Sequence, residues 1–198
     1  MKKLFLTLAL LCATITTLVA QEIAPSKNKF GVVLSTNIFG FNDDFNKVDV
    51  GGGFYYTRKL SNRFSIYTEI NGSSRNYGNL SLMPGLVGEF TTGNIAMYIG
   101  PMLNIGKKAH IGLGLVENYL FNPKLKTATG TIDIGKETTN YSTLFFDIRK
   151  SIYKEVSLGI RYEWGLNSMF EKIDSKVNNI SFNVILPLKG KRNQEKDK

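Results

Sequence analysis

From Phe30 to Leu188 the chain alternates apolar and polar residues with a period of two, the period of a strand with one buried face. In the clearest segment Val156, Leu158, Ile160, Tyr162, Trp164 and Leu166 share one face, and Ser157, Gly159, Arg161, Glu163 and Gly165 share the other. Phe30, Val32, Leu34 and Thr36 alternate in the same way with Gly31, Val33, Ser35 and Asn37. Phe64, Ile66, Thr68 and Ile70 alternate with Ser65, Tyr67, Glu69 and Asn71. Segments 50–56, 80–90, 95–105, 110–120, 144–148 and 182–188 bring the clear strands to nine, with almost no helical period between them. Half-buried antiparallel strands in such succession predict a closed barrel.

Single-chain bacterial membrane barrels have even strand numbers. The Thr-rich stretch Lys124 to Gly135 either supplies a tenth strand, or His110 to Gly135 forms a hairpin above an eight-stranded barrel. Ten is the preferred count. It reads Ser73 to Asn79 as a loop, places turns 60–63, 91–94, 121–124 and 151–154 at one end, and places the long loops 39–47 and 167–178 at the other. Glu117 falls on the apolar parity, and a bulge near Val116 would move it inward, since one extra residue flips every later side chain.

Alternation alone fits a soluble barrel with an apolar interior as well as a membrane barrel with an apolar exterior. The polar face decides between them. A solvated face would be rich in Lys and Glu, whereas this one carries Gly31, Ser35, Asn37, Gly51, Gly53, Ser65, Tyr67, Asn71, Gly112, Gly114, Ser157 and Gly159. Small residues and tyrosines suit a crowded lumen. Tyr56, Tyr119, Tyr162 and Trp164 end the apolar face in rings suited to lipid headgroups. The fold class expected is all-β, an antiparallel transmembrane β-barrel, with a soluble exported ligand-binding barrel as an alternative.

Residues 1–20 have the layout of a cleaved signal peptide: Met1-Lys2-Lys3, an apolar run from Leu4 to Val19, and a cut at Ala20-Gln21. Residues 21–28 form a short N-terminal segment, 29–188 the barrel, and 189–198 a disordered basic tail without an apolar residue. The one cysteine, Cys12, lies within the signal, which excludes a disulfide scaffold and thiolate metal sites from the mature chain. The net charge is +9, and without the signal and the tail it falls to +4, spread through turns and loops; a nucleic-acid partner would need a clustered basic stripe.

Chemistry has little material to work with. His110 is the single histidine, with no serine at a neighbouring inward position, so no catalytic residue is assigned and the protein is read as a non-enzyme. Asn42-Asp43-Asp44 lacks the spacing of a calcium loop, and Gly51-Gly52-Gly53 has no following helix to cradle phosphate; neither a metal nor a cofactor is expected. The triple glycine is read as close strand packing or a bend. The notable set is charged and inward: Glu69, Glu89, Asp147, Arg149, Arg161 and Glu163. With Asp147 opposite Gly159, Arg161 would be its diagonal neighbour and would be shared with Glu163. Such a cluster would close the narrow bore of a small barrel, and its loss through Arg161→Ala would open it.

The segments Leu80-Ser81-Leu82-Met83-Pro84-Gly85-Leu86 and Tyr98-Ile99-Gly100-Pro101-Met102-Leu103, with the hairpin Phe54 to Ile70, resemble the PorT-like outer-membrane β-barrel family of Bacteroidota. The resemblance implies an outer-membrane location and few known activities. The chain differs from that pattern in the added stretch His110 to Gly135 and in ending on a basic tail, so Ser181 to Leu188 would serve as an internal assembly signal. The function expected is a structural or binding role in the cell envelope with the lumen closed by a polar and charged network; the alternative is a narrow solute channel. The partners expected are outer-membrane lipid, the barrel assembly machinery, and an envelope protein or small-molecule ligand of unknown identity.

Overall fold

The computed structural model describes residues 28–188 except 42–44, 84–85, 107, 154–155 and 171–174, and leaves the side chains of 79–86 undescribed. The expected signal peptide, its cysteine and the basic tail lie outside the described residues. The strands are β1 (Asn28–Phe41), β2 (Lys47–Lys59), β3 (Phe64–Met83), β4 (Leu86–Ile105), β5 (Ala109–Thr127), β6 (Gly130–Asp133), β7 (Tyr141–Tyr153), β8 (Val156–Gly165) and β9 (Val177–Leu188). Every pairing is antiparallel. The sheet closes on itself: β1 pairs β9, and β4 pairs β5, which pairs β7 in turn. Eight strands make the wall, and β6 pairs only the far end of β5.

Eight, not ten, is therefore the count, close to the alternative with an outer hairpin. Ser73 to Asn79 is not a loop, and Thr91-Thr92-Gly93-Asn94 is not a turn. The two stretches pair with each other, from Ser73 opposite Asn94 to Asn76 opposite Thr91, and β3 and β4 each run 20 residues. At about 3.3 Å per residue such strands are about 65 Å long, twice the length of the 10-residue β8. The β3–β4 and β5–β6 hairpins thus stand beyond the barrel at one end. Small and polar residues persist there because the strand no longer has an apolar face to present, and that composition mimics a loop.

Of the four turns assigned to one end, 60–63 is there and the β7–β8 connection falls between Tyr153 and Val156; 121–124 lies within β5. The third short connection, between β4 and β5, includes Gly106, whose φ of 64° is accessible to glycine at little cost. The ends of β1 at Phe41, of β5 at Thr127 and of β8 at Gly165 lie at the opposite end. The bulge foreseen near Val116 is absent. The β5–β7 register runs unbroken from Ala109 opposite Lys150 to Asn118 opposite Tyr141. Val116 is wholly buried, and Glu117 stays on the outer face, where the Ser142 hydroxyl donates to its carboxylate at 2.9 Å.

The wall is inside out by the standard of a soluble protein. Outward lie Leu34, Val50, Phe54, Ile70, Ile99, Leu113, Ile148, Ile160 and Phe182, each about half exposed or more. Inward and buried lie Ser35, Asn37, Glu69, Asn71, Asn118, Asp147, Arg161, Glu163, Ser181 and Asn183. Tyr56, Tyr119 and Trp164 are on the outer face, and Tyr162 packs edge-on against Trp164 at 4.5 Å. Gly53 permits a close approach between β2 and β3, since a Cβ there would lie 1.9 Å from the Ile70 carbonyl oxygen.

Candidate functional site: a charged network across the lumen

Alternation brings one residue in two from every strand into the bore. Moving from the short-turn end, β3 contributes Ser65, Tyr67, Glu69, Asn71, Arg75 and Tyr77, while β7 contributes Ser151, Arg149, Asp147, Phe145, Thr143 and Tyr141. β8 adds Ser157, Arg161 and Glu163.

Arg161 is the centre of the first charged layer. Its Nη2 lies 2.7 Å from Glu69 Oε2 across the bore and 3.1 Å from Asp147 Oδ2 on the neighbouring strand. Asp147 Oδ2 also accepts from Arg149 Nη2 at 2.5 Å and from its Nε at 2.9 Å. Rings enclose the guanidinium groups: Arg149 lies 3.9 Å above Tyr67, and Arg161 lies 4.1 Å from the Tyr98 centroid. Glu69 further accepts from the Tyr67 hydroxyl and from Asn71 Nδ2. Two arginines and two carboxylates removed from water are tolerable only with such dense pairing, because desolvation of each ion costs several kcal/mol.

The register differs from the one expected. Asp147 stands opposite Arg161 itself, and Arg149 stands opposite Gly159. Arg161 is accordingly shared between Asp147 and Glu69, not between Asp147 and Glu163. Glu163 is held by neutral donors, the Tyr98 hydroxyl at 3.0 Å, Asn179 Nδ2 at 3.1 Å and Thr143 Oγ1 at 3.4 Å. Glu89 does not belong to the set. It lies on the outer parity of β4, opposite Asn79 in the protruding hairpin, and bonds to Asn76. The other five residues come together as a continuous polar block.

A second charged layer lies nearer the long-loop end, made by two residues that sequence reasoning missed. Arg75 and Asp49 are buried with their charged atoms 3.4 Å apart. Arg75 donates to the Tyr141 hydroxyl and lies over Phe39, while Asn37 donates to Asp49. The signal for Arg75 was present: it continues the parity of Glu69 and Asn71 through the stretch read as a loop.

Above that layer the bore ends in an apolar lid. Phe39, Tyr77, Phe90, Leu125, Ile134, Tyr141, Met169, Phe170 and Val177 form one buried cluster. Tyr77 packs on Phe39 at 4.9 Å and on Phe90 at 5.3 Å, and Phe90 packs on Phe170 at 5.3 Å. Met169 and Phe170 come from the β8–β9 connection, which is tied down where Thr139 N donates to the Met169 carbonyl at 2.8 Å. None of these cluster residues belongs to the Arg161 network, so the cluster does not depend on that arginine for its packing. His110 sits apart at the short-turn end, its Nδ1 2.8 Å from Asn104 Oδ1. Among the described residues no cluster of three metal-ligating side chains occurs.

No family model and no curated protein matches this sequence. Among solved structures the chain is similar to Ail, the attachment invasion locus protein of Yersinia pestis, with a TM-score of 0.53 at 12% identity over 83% of this chain and 100% of that one. It is similar also to Ail in complex with the heparin analogue sucrose octasulfate, with a TM-score of 0.51 at 11% identity and the same coverage. At such identity the likeness shows the fold, and the fold it shows is a small closed barrel of eight antiparallel strands.

Proposed function

We propose that the protein is a small, non-enzymatic outer-membrane β-barrel with a structural or binding role in the cell envelope, its lumen closed by the charged network and the aromatic lid. The observation that carries this reading is the inverted polarity of the wall. Ile160 is 55% exposed while its neighbour Arg161 is 1% exposed, and the same reversal repeats around the barrel. An apolar belt of this extent on a soluble monomer would drive association, whereas in lipid it is the required surface. The signal-peptide layout of residues 1–20 supports export, and the segments Leu80 to Leu86 and Tyr98 to Leu103 support a place among PorT-like barrels. The attachment named for Ail and the heparin analogue bound to it belong to that protein; for this chain they support a binding role of unspecified partner.

Membrane fractionation and gel mobility test the reading. The folded protein should resist carbonate extraction from envelopes and should migrate differently before and after boiling. Release into the soluble fraction would remove it in favour of an exported soluble barrel.

A further inference from the structure

At the short-turn end the lumen widens into a cavity of about 600 Å³, a volume ordinary for a small-molecule site. It is a cup on the opposite side of the charged layer from the lid, with Arg149 of that layer lining its floor. Its walls come from the start of β1, the end of β9 and the turns that follow β2 and β4. Among the described residues the lining contains Lys29, Lys59, His110 and Arg149 and no carboxylate. Lys59 Nζ and His110 Nδ1 bond to the amide oxygens of Asn62 and Asn104, at 3.1 and 2.8 Å, which position them without neutralising the lysine. Lys59 and His110 make these contacts with asparagines and not with the charged network beyond the floor.

A cleft lined by one sign of charge between low-dielectric walls concentrates the field and with it the counter-ion. The geometry of the donors narrows the ligand further. A planar carboxylate is best met by the forked edge of an arginine, and the Nε and Nη2 edge of Arg149 is already spent on Asp147. The cup offers instead single donors from several directions, an arrangement that suits the three outer oxygens of a tetrahedral dianion. Met102, Ile185 and Pro187 supply an apolar side for the body that carries it. We propose that this cup binds a small phosphorylated solute; that it opens toward the periplasm rests on the membrane reading above, whereas the site itself does not.

Isothermal titration of the full-length protein in detergent micelles tests it, with inorganic phosphate, glucose 6-phosphate, glucose and citrate as probes. The expected result is saturable one-to-one binding of glucose 6-phosphate, weaker binding of phosphate, none of glucose, and an affinity that falls as salt rises. The double variant Lys29→Gln, Lys59→Gln should weaken glucose 6-phosphate at least tenfold while retaining heat-dependent gel mobility. No saturable binding of either phosphate, or equal affinity in the double variant, would overturn the proposal. Citrate binding tighter than glucose 6-phosphate would overturn the phosphate assignment. Because the fold is followed separately by gel mobility, none of these failures touches the membrane reading, and the salt dependence tests the unmodified protein should the variant not fold.

Discussion

The lumen holds two arginines at the centre of charged layers, and they are not equally well provided for. Arg161 has two carboxylates within 3.1 Å, two rings within 5.4 Å of its guanidinium carbon and is itself 1% exposed. Arg75, equally buried, has one carboxylate at 3.4 Å, and neither its Nε nor Asp49 Oδ2 makes a hydrogen bond among the described residues. The first layer joins β3, β7 and β8 across the bore; the second joins β2 and β3 with a tyrosine of β7 and sits directly beneath the lid. Ion pairs in a low-dielectric interior stabilise the more, the more completely their lone pairs and protons are met, and in the Arg161 layer only Asp147 Oδ1 of the paired oxygens lacks a partner among the described residues. On the proposed reading the Arg161 layer holds the barrel shut and round, and the Arg75 layer fills the space between that layer and the lid.

Breaking the stronger layer should cost most. Arg161→Ala leaves Glu69 and Asp147 as buried carboxylates with only Arg149 nearby, and about 3–5 kcal/mol should be lost, read as a lower urea midpoint of the barrel in micelles. Next comes the same charge placed on the other side of the wall. Ile160→Arg puts a cation on the lipid face and should cost about 2–4 kcal/mol and impair membrane assembly. Gly159→Ser, by contrast, should change stability by only about 1 kcal/mol. Its Cβ would meet the flexible Arg149 Cγ at 3.1 Å, and its hydroxyl would reach Asp147 Oδ1, which has no partner among the described residues. Equal tolerance of Ile160→Arg and Gly159→Ser would reverse the two faces. A smaller loss, about 1–2 kcal/mol, should follow the double variant Asp49→Asn, Arg75→Met, because no buried charge is left without its partner and the methionine stem fills the space against Phe39. A loss equal to that of Arg161→Ala would erase the distinction between the layers.

The faces of the strands were legible because the outer wall carries an apolar side chain at every second position, as Leu158, Ile160 and Trp164 show. Strand ends were not. Beyond the apolar belt the outer face of β3 carries Gly72, Ser74 and Asn76, so Ser73 to Asn79 looks like a loop although its backbone pairs with β4, with one irregularity at Tyr77. Two residues of the second layer were lost with it, Arg75 inside that stretch and Asp49 in the short run before the glycines. Glu89 was misplaced for the converse reason. Counting in twos from the buried Tyr98 puts Glu89 outside, but the supposed turn at 91–94 broke the count. Five of the six charged residues named from the sequence lie in the lumen, four of them on β7 and β8, where a carboxylate two residues from an arginine on one face is conspicuous. Their partners depended on a register offset of two residues, which the length of the Ser151 to Lys154 turn does not fix.

Closure of the bore is the central claim, and conductance in planar bilayers tests it most directly. Two charged layers and a lid lie in series between the cup and the long-loop end, so the purified protein should show no steady conductance steps, and Arg161→Ala, which leaves the Arg75 layer and the lid intact, should show none either. Large, stable channels from the unmodified protein would contradict the account.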